Sequence, residues 1–188
     1  MLNGRVQPGS TVAIVGAGPI GLAALLTAQF YAPAQIIVID RDKHRLEVAR
    51  TFGASACIDI AQTAPVAEVM RLIDGAGVDC AVEAVGVPST FELCESLIAA
   101  GGTIANVGVH GVKADLHLET LWDRNITITT RLVDTVSTPM LLKTVCAGRL
   151  DPKRLITHRF TLDRMLDAYE TFGNAGDAHA LKVIVEVS

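Results

Sequence analysis

The chain has 188 residues, 50% of them hydrophobic but only 4% aromatic, and a formal net charge of −4. With a mildly acidic balance and no basic stripe, nucleic acid and anionic membrane surfaces are poor partners. The length suits one large domain or a domain with a small appendage, and a core rich in Ala, Val, Ile, Leu and Gly suits a parallel sheet covered on both faces.

Residues 1–9 read as a lead-in loop with a Pro8-Gly9 turn. Thr11 to Val15 is a buried strand, followed by a tight turn with glycines at Gly16, Gly18 and Gly21 and a helix from Pro19 to Tyr31 that Pro33 ends. No charged side chain lies between Arg5 and Asp40, but the glycines, Pro19, Gln29 and Pro33 break the run, so no membrane span or signal peptide is expected and the chain reads as cytoplasmic. Gln35 to Asp40 is a second strand. Asp42 caps the next helix, whose apolar face is Leu46, Ala49 and Phe52 and whose stop is Gly53. Ala56-Cys57-Ile58 is a short third strand, and Val66, Val69, Met70 and Ile73 mark a helix over Ala64 to Ile73. Val78 to Ala84 is a fourth strand. Ser89 and Glu92 have capping-box spacing for a helix through Ile98. Thr103 to Val107 is a fifth strand, Gly108 to Glu119 a loop, and Ile126 to Thr130 a β-branched sixth strand at the sheet edge. A helix runs from Thr138-Pro139 to Gly148. The remainder reads as strand, helix, strand: Ile156 to Thr161, a helix capped by Asp163 with Met165, Leu166, Ala168, Tyr169 and Phe172 as its apolar positions, and Leu181 to Val187.

Six strands with intervening helices predict an α/β fold: a doubly wound parallel sheet, the Rossmann fold, with a short C-terminal β-α-β tail. The expected domains are 1–150, dinucleotide-binding, and 151–188, the tail. The turn after the first strand has the G-x-G-x-x-G register of a dinucleotide site. Gly16 permits the sharp turn, Gly18 lets a pyrophosphate approach the backbone, and Gly21 lets the helix pack on the strand. Pro19 and Ile20 open the helix, whose free amides and dipole attract an anion. Asp40 ends the second strand about 20 residues on, where a carboxylate takes the ribose hydroxyls of NAD; the alternative is that it only caps the next helix. A carboxylate repels a 2′-phosphate, which favours NAD over NADP. Arg41 has two readings, a group over the adenine or at a 2′-phosphate and a solvated surface arginine. Ligands of open α/β sheets sit at strand carboxyl ends, so Ala84, Val85 and Gly86 and then Val107, Gly108 and Val109 border the cofactor; core packing is the alternative for Val107. His110 reads as a loop histidine without an identifiable carboxylate partner. The scattered Cys57, Cys80, Cys94 and Cys146 read as small buried hydrophobes in a reducing compartment, with no zinc-ligand spacing among them.

The run Val6 to Gly21, with Val38-Ile39-Asp40, Arg45-Leu46, Phe52-Gly53-Ala54, Gly77-Val78-Asp79, Glu83-Ala84-Val85-Gly86, Gly101-Gly102-Thr103, Leu150-Asp151-Pro152 and Leu155 to His158, resembles the zinc-type, medium-chain alcohol dehydrogenases. The resemblance covers essentially the whole chain. It implies hydride transfer between an alcohol and a nicotinamide, with zinc as the Lewis acid of the parent enzyme. It also implies a basic residue near the adenine ribose at Arg45, or else a salt-bridge partner of nearby acids, and a pyrophosphate contact at Lys182. It implies a homodimer paired through strand 126–131. The family's zinc ligands lie in a domain that precedes the cofactor domain, so the chain is expected to be a fragment that binds NAD weakly, carries no catalytic or metal-binding residue of its own and is inactive alone. Two other readings are a non-catalytic NAD-sensing module, which has no use for the tail, and a zinc-independent, quinone-reductase-like member of the same superfamily.

Overall fold

In the computed structural model, which describes residues 1–132 and 135–187, the apolar runs become strands, the central ones largely buried. Strands β1 (Thr11–Val15) and β2 (Gln35–Asp40) are buried over four consecutive residues each. That is the signature of a sheet covered on both faces. With β3 (Ala56–Asp59), β4 (Val78–Glu83), β5 (Ile98–Asn106) and β6 (Thr127–Thr130) they form one parallel sheet in the order β3-β2-β1-β4-β5-β6. The order reverses between β1 and β4, the point at which a doubly wound sheet opens a crevice at its carboxyl edge. Helices α1 (Pro19–Ala28), α2 (Lys43–Thr51), α3 (Pro65–Leu72) and α4 (Pro88–Leu97) connect the strands. Val15, Ile37, Ile39, Val69, Leu97 and Ile104 belong to the core cluster.

The expected fold class holds, and local chemistry explains several boundaries. Asp42 caps α2 by accepting from the Arg45 amide at 3.2 Å, as its position before the apolar face implied. The capping box does not form. The N-cap of α4 is Val87 without a side-chain cap, because Pro88 supplies a preset helical φ one position before Ser89. The strand β5 starts at Ile98, earlier than the expected Thr103: Ile98 pairs with Val78, and a register shift follows before Cys80 meets Thr103. The loop 108–119 ends in a short helix, α5 (Leu118–Leu121).

The chain divides into two compact units, Met1–Val133 and Asp134–Ser188. The second unit holds α6 (Thr138–Cys146), β7 (Ile156–Thr161), α7 (Met165–Gly173) and β8 (Lys182–Glu186), with β7 and β8 paired in parallel. Asp163 does not cap α7. It lies inside a 3-10 turn, Leu162–Arg164, and the N-cap is Arg164. Among the described residues no helix is long and apolar enough to cross a membrane.

Candidate functional site

The first unit brings the carboxyl ends of β1, β2, β4 and β5 into one row. Gly16 leaves β1 with φ +103°, and a Cβ there would sit 2.6 Å from Val85 Cγ2 and 3.2 Å from the Ala84 carbonyl oxygen. A Cβ on Gly21 would overlap the Gly16 carbonyl, so helix and strand touch backbone to backbone. Gly18 differs. A Cβ there would meet only Arg45 Nη1, at 3.9 Å. Gly18 is also the N-cap of α1, with Pro19 following, no side-chain cap and no acid in the first turn. The helix start is therefore a small cradle with uncapped amides and one guanidinium beside it, which suits an anion. Arg45 pairs with Asp42 at 3.5 Å, and its Nε is buried without a hydrogen-bond partner.

Asp40 is tied into this cradle in a way the spacing did not reveal. Its Oδ2 accepts from the Ala17 amide at 2.5 Å, and its Oδ1 accepts from the amides of Arg41 and Asp42 at 2.7 and 2.9 Å. The carboxylate thus braces the glycine turn from the end of β2. Arg41 is exposed and Ile20 is 57% exposed.

The turns after β4 and β5 lie against each other. A Cβ on Gly86 would run into the Val109 backbone, 2.7 Å from its carbonyl carbon, and one on Gly108 would lie 2.8 Å from Gly86 Cα. Val85 and Val109 stand exposed at 47% and 83%, whereas Ala84 and Val107 are half-buried. Between the two turns sits Glu83, fully buried. His110 Nε2 lies 2.9 Å from Asn106 Oδ1 and 3.4 Å from Glu83 Oε2, and its ring meets Phe91 edge-on. His110 therefore does have a carboxylate neighbour. Sequence reading missed it because Glu83 and His110 belong to different strand ends that only the sheet pairing joins.

Lys182 opens β8 in the second unit and is exposed. Among the described residues no group of three or more His, Cys, Asp or Glu is placed to hold a metal ion. All four cysteines are free. Burial pushes the Cys80 thiol up to about 12 and the Cys94 thiol well above its usual range, which makes both inert hydrophobes. Cys57 is only half-buried, and Cys146, read as buried from the sequence, is exposed on α6.

A family model described as "Zinc-binding dehydrogenase" matches residues 19–144. An alcohol dehydrogenase of Cupriavidus necator is 34% identical over 188 residues, 98% of this chain and 51% of that protein. A sorbitol dehydrogenase of Bacillus subtilis is 32% identical over 167 residues, 88% of this chain and 47% of that protein. Among solved structures, the apo form of zinc dependent alcohol dehydrogenase 2 from Streptococcus pneumonia matches with a TM-score of 0.96 at 49% identity, covering 100% of this chain and 54% of that one. The chain thus spans about half the length of the relatives it matches.

Proposed function

This chain belongs to the zinc-binding dehydrogenase family, and from that premise we propose that its first unit is the NAD-binding platform of an alcohol or polyol dehydrogenase. The observation that carries the reading is the cradle at Gly18, the one glycine of the turn whose missing Cβ leaves open space rather than backbone contact. A diphosphate there meets the uncapped amides of Ile20 and Gly21 and the positive end of α1. Arg45, whose Nε lacks a hydrogen-bond partner, adds a charge beside it.

Asp40 has a double role in this reading. It orients the turn through Ala17, and its remaining lone pairs accept from the ribose hydroxyls on the adenosine side. A 2′-phosphate would be repelled there, which supports NAD over NADP. On the other side of β1, Val85 and Val109 offer exposed aliphatic surface at the ends of β4 and β5 for the nicotinamide half. A bound nicotinamide would supply the hydride chemistry of the alcohol–carbonyl interconversion. The part of this chain is to hold that ring in place and keep its surroundings apolar. The donor set of the described residues does not fit zinc, and no step through a metal is assigned to it.

The second unit is proposed to complete the fold of the zinc-bearing part of the enzyme. The edge position of β6 supports a homodimer formed by pairing strand 126–131 with its copy, because an edge strand carries unpaired N–H and C=O groups. Light scattering at tens of micromolar should then report a dimer mass, and a monomer alone would refute the pairing. Calorimetric titration tests the cofactor. The wild-type chain should bind NAD more tightly than NADP. Asp40→Ala should weaken NAD about tenfold and erase the preference. An unchanged NAD affinity in that variant removes Asp40 from the site.

A further inference from the structure

Glu83 is the most thoroughly enclosed charged side chain of the sheet, and it sits where loops rather than core should be. It is the last residue of β4 and has no exposed surface. Its Oε1 accepts from the amides of Val85 and Gly86 at 2.9 and 2.8 Å, and the Thr90 hydroxyl lies 2.7 Å away, between Oε1 and the Val87 carbonyl. These bonds wind the turn after β4 around one oxygen. The other oxygen points at the turn after β5. A Cβ on Gly108 would collide with Oε2, His110 Nε2 lies 3.4 Å from it, and Oε2 has no hydrogen-bond partner among the described residues. The backbone repeats the arrangement: the Glu83 carbonyl accepts from the amides of Val107 and Gly108 at 2.9 and 3.0 Å. One residue therefore gathers both turns.

A buried carboxylate is costly unless its bonds are strong, and charge-assisted bonds to amides are about twice as strong as neutral ones. An apolar residue at the end of β4 would satisfy the sheet without that cost. What the carboxylate adds is a fixed shape for two turns that have no secondary structure of their own. We propose that Glu83 is a positioning residue that sets the turns 84–87 and 107–110 in the shape the nicotinamide half of the cofactor requires. This rests on the dinucleotide reading of the site. On that reading Gly18, Asp40 and Arg45 serve the adenosine diphosphate half; Gly18 follows β1, Asp40 ends β2 and Arg45 lies on α2, whereas Glu83 ends β4. The two halves of the ligand can thus be probed separately, with ADP for one and intact NAD for both.

The experiment titrates the wild-type chain, Glu83→Gln, Thr90→Val and Thr90→Ser with ADP and with NAD. Hydrogen exchange of the amides of Val85, Gly86 and Gly108 is followed in the same proteins. Glu83→Gln should weaken NAD about tenfold and Thr90→Val about threefold, while Thr90→Ser binds like the wild type and ADP changes less than about twofold throughout. The three turn amides should exchange about tenfold faster in Glu83→Gln, with those of Ile20 and Gly21 unchanged. Equal losses for ADP and NAD would overturn the proposal, since they mark a general loss of structure. So would NAD affinities that are the same in Thr90→Val and Thr90→Ser, a result that stands even if Glu83→Gln does not fold. A wild-type chain that binds neither ligand would defeat the dinucleotide reading instead, and the exchange rates alone would then decide whether Glu83 holds the turns.

Discussion

The six-stranded sheet of the first unit and the two-stranded sheet of the second are both parallel, yet they treat burial differently. Strands β1, β2 and β4 are buried on both faces. Strand β7 alternates half-buried and exposed residues, and β8 has no fully buried position. Helix α7 leaves Leu166, Tyr169 and Phe172 exposed at 83%, 69% and 62%. Among the described residues of the second unit, only Ala168, Ala180 and Leu181 are buried hydrophobics. Parallel strands are ordinarily covered on both sides, and two strands alone are marginal in water. The first unit thus encloses its own core, whereas the second carries more apolar surface than its two strands and two helices hide. This matches a family in which the corresponding region is part of a longer chain.

The largest effect that tests this contrast comes from the centre of the first unit. Leu97 is fully buried at the end of α4 within the core cluster. Leu97→Ala should cost about 2–5 kcal/mol by urea denaturation followed by circular dichroism, from lost transfer energy plus the cavity left behind. Leu166→Ala, on the exposed face of α7, should change stability by less than about 0.5 kcal/mol. Similar costs for the two would break the contrast and show that Leu166 is covered in solution.

How far the sequence reveals this molecule follows the same division. Apolar runs bounded by glycine and proline set the strands of the first unit, because each strand there must be apolar on both faces and each turn must change direction sharply. The glycine turn was legible for the same reason: only glycine tolerates φ +103° at Gly16 and the contact between Gly21 and the Gly16 carbonyl. What stayed hidden depends on partners distant in the chain. His110 lies beside Glu83, and Asp40 reaches the Ala17 amide 23 residues before it. Each contact joins the end of one strand to the loop of another, and no local spacing encodes it. In the second unit Asp163 misled because Thr161 and Leu162 lead into a 3-10 turn, which takes up the acid before the helix begins.

The smallest effect sharpens the contrast through pH. His117 follows the long loop after β5, and its Nδ1 lies 2.7 Å from Glu95 Oε2 on α4, while its amide donates to Glu95 Oε1 at 3.2 Å. Glu95 is only 5% exposed, so this pair staples the loop to the body of the first unit. The hydrogen bond to Glu95 raises the His117 pKa above its usual 6.5, against a smaller desolvation that lowers it and with added pull from Glu119 and Glu92. A histidine whose pKa is raised on folding stabilises fully below its unfolded value of 6.5, and that contribution fades as pH climbs through the higher folded value. Stability of the first unit should therefore decline as pH rises from below 6.5 through the neutral range, and His117→Gln should flatten that part of the curve. The ion pairs of the second unit, Arg159–Glu186 and Arg164–Asp167, use guanidinium groups that do not lose their protons, so Arg159→Gln should leave the slope unchanged. Urea denaturation across that pH range distinguishes the two, and a slope that survives in His117→Gln would show that the loop is held by something other than this pair.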